Sequence, residues 1–86
     1  MTPVTRSDGA TTLCLEGELK LPWLDTLEFE VDRRLRRGSR VVLDFQDVTL
    51  VSLHSIDTLR RLVARGVAIE NATDWVRSLL PIGEAP

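Results

Sequence analysis

The chain has 86 residues, 43% hydrophobic and 28% charged, with a formal net charge of −2 and one cysteine. That length supports one domain with a single modest core, and the charge balance removes the bulk electrostatic case for nucleic acid. The lone Cys14 excludes an intramolecular disulfide, no apolar run approaches a membrane span, and "MTPVTRSDGA" lacks the regions of a signal peptide.

A cytoplasmic protein of bacterial type is therefore expected, with a reduced, buried thiol and no membrane insertion. The sequon-like "NAT" at Asn71 carries little meaning in that setting.

"TPVTR" alternates weakly and precedes "SDGA", whose Asp-Gly is a turn signal, so an edge strand leading into a hairpin is predicted. "TTLCLEG" follows as a second strand, with Leu13 and Leu15 on one face and Cys14 on the other. "GELKLP" reads as a connection, and Pro22 suits the first turn of a helix. From Trp23 to Arg37 the spacing is helical: Leu24, Leu27, Val31 and Leu35 form one stripe, flanked by Trp23, and Gly38 ends it. Arg33, Arg34, Arg36 and Arg37 crowd its last turns, where cations favour the negative end of a helix dipole. Phe29 projects away from the stripe, among Asp25, Arg33 and Arg36, either as a lone exposed apolar residue or as part of a partner site.

"RVVLDFQDV" is the strongest strand signal. Val41, Leu43 and Phe45 share one face and Val42 lies on the other, which predicts a central strand covered on both sides. Asp44 falls near its C-terminal end, where open α/β sheets place functional groups, although a hydrogen bond to the following loop would also account for it. "IDTLRRLVARG" is a second helix with the stripe Ile56, Leu59, Leu62 and Val63, closed by Gly66. "VAIE" is a short buried strand. "TDWVRSLL" is a last helix capped by Thr73, and Pro81 stops it before the polar tail "PIGEAP" (81–86). The order β-β-α-β-α-β-α implies parallel βαβ units with right-handed crossovers and an antiparallel hairpin: an α/β fold with one four-stranded mixed sheet.

Three segments carry a resemblance. "VVLDFQDVTLVSLHSIDTL" is similar to the core of the STAS domain family, an apolar strand and loop, "LDLSGVTFIDSSGL", running into a helix. "LCLEGEL" resembles the family's second strand and exit, and "RGVAIENATDWVRSLL" its closing strand and helix, so that the likeness runs from Thr11 to Leu80. It implies a single STAS-like domain over residues 1–86, related to the anti-sigma factor antagonists. Implied partners are a kinase-type anti-sigma factor or the ATPase subunit of a lipid-trafficking transporter. In the ungapped register Ser52 replaces the family's Asp and Leu53 its first Ser. His54 stands where members carry the phosphorylated Ser, and Ser55 takes the Gly position. Ser55 becomes the acceptor only by a one-residue shift that misplaces Ile56. The phosphorylation switch is thus expected to be absent or altered.

The residues of the loop admit simpler roles. Ser52 or Ser55 is a natural helix cap, and one histidine without further ligands is an ordinary surface residue before it is a metal site. A serine, His54 and Asp57 so close in sequence point in different directions on a helix, which argues against a catalytic triad. No Gly-rich phosphate loop or metal-ligand spacing is present. The expectation is a noncatalytic interaction module without cofactor or metal. Its partner surface comprises Ser52, Leu53, His54, Ser55, Asp57, Thr58 and Arg61, with Phe29 as a second site. A small-molecule or nucleotide sensor is the alternative, and nucleic-acid binding is not expected.

Overall fold

The computed structural model describes residues 2–80, apart from the side chain of Leu21. The expected tail, 81–86, and Pro81 as a helix stop lie outside the described residues. The elements run β1 (Thr2–Thr5), β2 (Thr11–Leu19), α1 (Leu21–Arg36), β3 (Val41–Val51), α2 (Leu53–Ala64), β4 (Ala68–Glu70) and α3 (Asp74–Leu79). The sheet order is β1-β2-β3-β4, with β1 antiparallel to β2 and the β2–β3 and β3–β4 pairs parallel. Pro22 lies in the first turn of α1, and Thr73 Oγ1 caps α3 by accepting from the Val76 amide at 3.4 Å.

This order overturns one expectation. Each parallel crossover steps in the same direction along the sheet, so two right-handed crossovers place α1 and α2 on the same face. Leu13, Leu15, Leu27, Val31, Leu43, Phe45, Leu59, Leu62 and Val76 accordingly make one core between that face and the helices. β3 is interior to the sheet but carries helices on one side only. Val42 is buried on the open face by its sheet neighbours, not by a second helical layer. Arg6 lies across that face, its guanidinium 3.4 Å from Thr12 Oγ1 and 3.0 Å from Glu70 Oε2. Cys14, expected to be buried, is half-buried on the same face.

Two strands are longer than their sequence suggested. β2 continues through Gly17-Glu18-Leu19, so "GEL" is strand rather than connection. β3 continues to Val51, so Asp44 is a mid-strand residue rather than one near the strand's end. The β2–β3 register shifts twice, between Cys14 and Glu16 and between Gly17 and Glu18, leaving Thr49 without a partner residue in β2. Each extra residue rephases the alternation, so Val48 and Val51 still face the helices while Leu50 faces solvent. Gly17 has φ +78°, a backbone angle that a side chain disfavours, and it sits at the second shift.

Candidate docking site at the start of α2

One residue, Ser52, separates the end of β3 from α2. It is extended (φ −74°, ψ 158°), and its Oγ accepts from the Ser55 amide at 3.3 Å, which makes it the N-cap. Ser55 Oγ donates to the carbonyl oxygen of Leu19, the last residue of β2, at 2.9 Å, and the two serine oxygens are 2.8 Å apart. A hydroxyl has one proton. Ser55 spends its own on Leu19, so Ser52 must donate in the pair. The Ser52 amide also donates to the Leu19 carbonyl, at 3.3 Å. The circuit joins the ends of β2 and β3 to the first turn of α2, and no hydroxyl proton in it is free.

Two residues assigned to the partner surface are therefore inward. Ser55 is fully buried and Thr58 is 7% exposed. Both lie on the helix stripe, since Ser55 precedes Leu59 by four residues and Leu62 by seven. Polar identity hid them; projection would have found them. A phosphoryl donor has no path to Ser55 Oγ while this packing holds.

The remaining residues do face solvent. Leu53 is 73% exposed, His54 and Asp57 are exposed, and Ser52 is half-buried. Arg61 extends over Thr58, its Nη2 3.4 Å from Thr58 Oγ1 and 3.4 Å from Glu28 Oε2 of α1. Arg60 reaches Asp57 at 3.8 Å and donates to the Leu79 carbonyl at 3.1 Å. Phe29 is 68% exposed on α1, as its projection required.

The arginines of α1 and α2 alternate with carboxylates. Arg33 and Arg34 meet Glu30, Arg36 and Arg65 meet Asp32, and Arg61 meets Glu28. The Arg65 guanidinium, bonded at 2.8 Å, holds the Asp32 carboxyl below the usual carboxylate range. Asp44 is not a free acid either. Its Oδ1 accepts from Asn71 Nδ2 and from the Gln46 amide, both at 2.9 Å, and these bonds lower its pKa. Asn71 holds φ +59°, which Asn tolerates better than most residues, and so pins the β4–α3 turn to mid-β3. Its role was invisible in a sequon-like "NAT".

A second feature lies beside this junction. Phe45, Val48, Thr49, Leu50, Val51, Thr73, Trp75 and Val76 line an open groove of about 210 Å³ between β3 and α3. Leu50 and Trp75 at its rim are 56% and 50% exposed.

No protein-family model matches the chain, and no curated protein does. Among solved structures it is similar to the anti-sigma factor antagonist SpoIIAA in its unphosphorylated form. The two share 12% sequence identity at a TM-score of 0.72, over 99% of this chain and 88% of the other. The α/β architecture predicted from the strand and helix order is thus a STAS-like fold, shared with an anti-sigma factor antagonist.

Proposed function

We propose that this chain is a noncatalytic protein-interaction module of regulatory type, and that its partner docks on Leu53, His54, Asp57 and Arg61. The observation that carries the reading is Leu53. A leucine 73% exposed at the first position of a helix adds nothing to the core, yet it sits on a turn fixed by the Ser52–Ser55–Leu19 hydrogen bonds. An apolar anchor on a rigid mount, ringed by His54, Asp57 and Arg61, suits a protein contact better than a catalytic centre. Among the described residues no nucleophile, base and orienting group converge there.

The STAS-like fold makes an anti-sigma factor of the kinase type the preferred partner class. A transporter ATPase would be a different outcome of the same experiment. With His54 at the acceptor position and Ser55 buried, serine phosphorylation does not govern this contact, and binding is constitutive. A protein is preferred to nucleic acid as partner because Arg33, Arg34, Arg36, Arg61 and Arg65 already meet Glu28, Glu30 and Asp32.

Affinity capture from the native cell with His54→Glu and Asp57→Arg baits tests the surface. Both exposed substitutions should leave the thermal midpoint close to wild type and cut recovery of the principal partner at least tenfold. Undiminished recovery by both variants counts against this surface.

A further inference from the structure

We propose that the outer edge of β3, from Asp47 to Val51, is a strand-accepting site. Its occupant is a short extended segment of a partner protein, alternating basic with apolar residues, one apolar side chain of which seats in the Trp75 groove. This surface is separate from the Leu53–Arg61 face and stands if that face proves wrong.

Three observations meet there. First, β4 ends at Glu70 opposite Asp44, so among the described residues β3 beyond that point is paired with β2 alone. The last covered amide is that of Gln46, bonded to the Asp44 carboxylate. Among the described residues no turn, loop or cap hydrogen bond reaches the free side of Asp47–Val51. Strand N–H and C=O groups are strong hydrogen-bonding groups, and such an edge is a template for another strand. Protected edges carry Lys or Pro, and 45–51, "FQDVTLV", has neither. The bulge at Thr49 limits the site to a short segment rather than a stacking sheet.

Second, the groove lies directly beside this edge and is apolar, walled by Phe45, Val48, Trp75 and Val76. Alternate side chains of an added strand point to one face, so an apolar residue at every second position would present one to the groove.

Third, the exposed charge on the sheet here and at the start of α3 is acidic, with Arg77 one turn further along α3. Glu16, Glu18 and Asp47 are exposed on the distal halves of β2 and β3, and Asp74 is exposed in the first turn of α3. Lys20, 3.2 Å from Glu18, is the cation on that part of β2 and its exit. Lysine or arginine across from Asp47 on the incoming strand therefore meets opposite charge, with Glu16 and Glu18 one strand further in. A second copy pairing through the same edge would instead present another acidic strand, with its own Asp47, to this one.

The test is fluorescence anisotropy with a labelled, end-capped peptide of alternating lysine and valine, about eight residues long. Two controls replace lysine by glutamate or N-methylate alternate backbone amides. The lysine–valine peptide should bind, and both controls should bind at least tenfold more weakly. Trp75→Ala and Thr49→Pro should each weaken binding at least tenfold with circular dichroism unchanged, and Leu53→Asp should not. Should Thr49→Pro disturb the fold, Trp75→Ala and the N-methylated peptide still decide. Equal binding of the N-methylated peptide, or indifference to Trp75→Ala, overturns the proposal. So does a dimer formed through this edge in sedimentation, or stabilisation by small apolar compounds without peptide binding.

Discussion

The two halves of β3 behave as different materials. From Val41 to Asp44 the strand has β4 or β2 partners, and Val41, Leu43 and Phe45 are sealed under the helices. From Gln46 to Leu50 it is shifted in register, bordered on one side, and largely exposed. The first half builds the domain; the second carries the open edge and delivers the start of α2 to solvent. The same division recurs within one helical turn, where Ser55 is locked inward and Leu53 and His54 face out. Rigidity and accessibility are thus divided between adjacent residues, which is what an interaction surface on a small domain requires.

The contrast between the halves is broken most severely by truncation in the core. Leu43→Ala removes a fully buried side chain and is expected to cost about 2–5 kcal/mol in urea unfolding. Leu50→Ala, seven residues on, should stay within about 0.5 kcal/mol. The same denaturant series should separate the neighbours in α2. Ser55→Ala deletes the bond to Leu19 and strands the Ser52 hydroxyl, for about 1–3 kcal/mol, while His54→Ala should change stability by roughly 0.5 kcal/mol or less.

A smaller effect is expected at the point where the halves meet. Asn71→Ala loses the hydrogen bond to Asp44 and places a less tolerant residue at φ +59°, for about 1–2 kcal/mol. Asn71→Gly relieves the backbone and loses only the side-chain bond, so it should be the milder change. The weakest expected effect is on pH. Asp44, held down by Asn71 and the Gln46 amide, Asp32, held down by Arg65, and Asp8, held down by the Ala10 amide, all have folded pKa values below their ordinary value. Their stabilising contribution is complete above the unfolded pKa of about 3.9 and is lost as pH falls through the folded values. Thermal midpoints should be flat across neutral pH and drop in acid. Asp44→Asn should shrink that drop; an unchanged acid profile would show that Asp44 contributes nothing.

Much of this was legible in the residues. The period-3.6 stripes of α1 and α2 and the apolar run of β3 each had one interpretation, and their alternation led to the right sheet. The two register shifts, after Cys14 and after Gly17, were not legible, because an extra residue breaks the period of two that marks a strand. Two-sided cover of β3 was read from Val42, but the handedness of two successive crossovers decides the side. The exposure of His54, Asp57 and Arg61 followed from the helix register, whereas Leu53 reads as a loop residue and is the first of α2. Ser55 and Thr58 were misplaced because their polarity outweighed their position on the stripe. The groove joins residues of β3 and α3 far apart in sequence, and no local pattern announces it.

The central claim, that an exposed turn on a hydrogen-bonded mount docks a protein partner, is tested most directly by one quantitative capture. Wild-type and Leu53→Asp baits, matched for thermal midpoint, are compared for recovery of the principal native partner. The claim predicts recovery at least tenfold lower for Leu53→Asp, with Val4→Asp on the exposed strand β1 retaining the partner. Equal recovery by wild type and Leu53→Asp would contradict it.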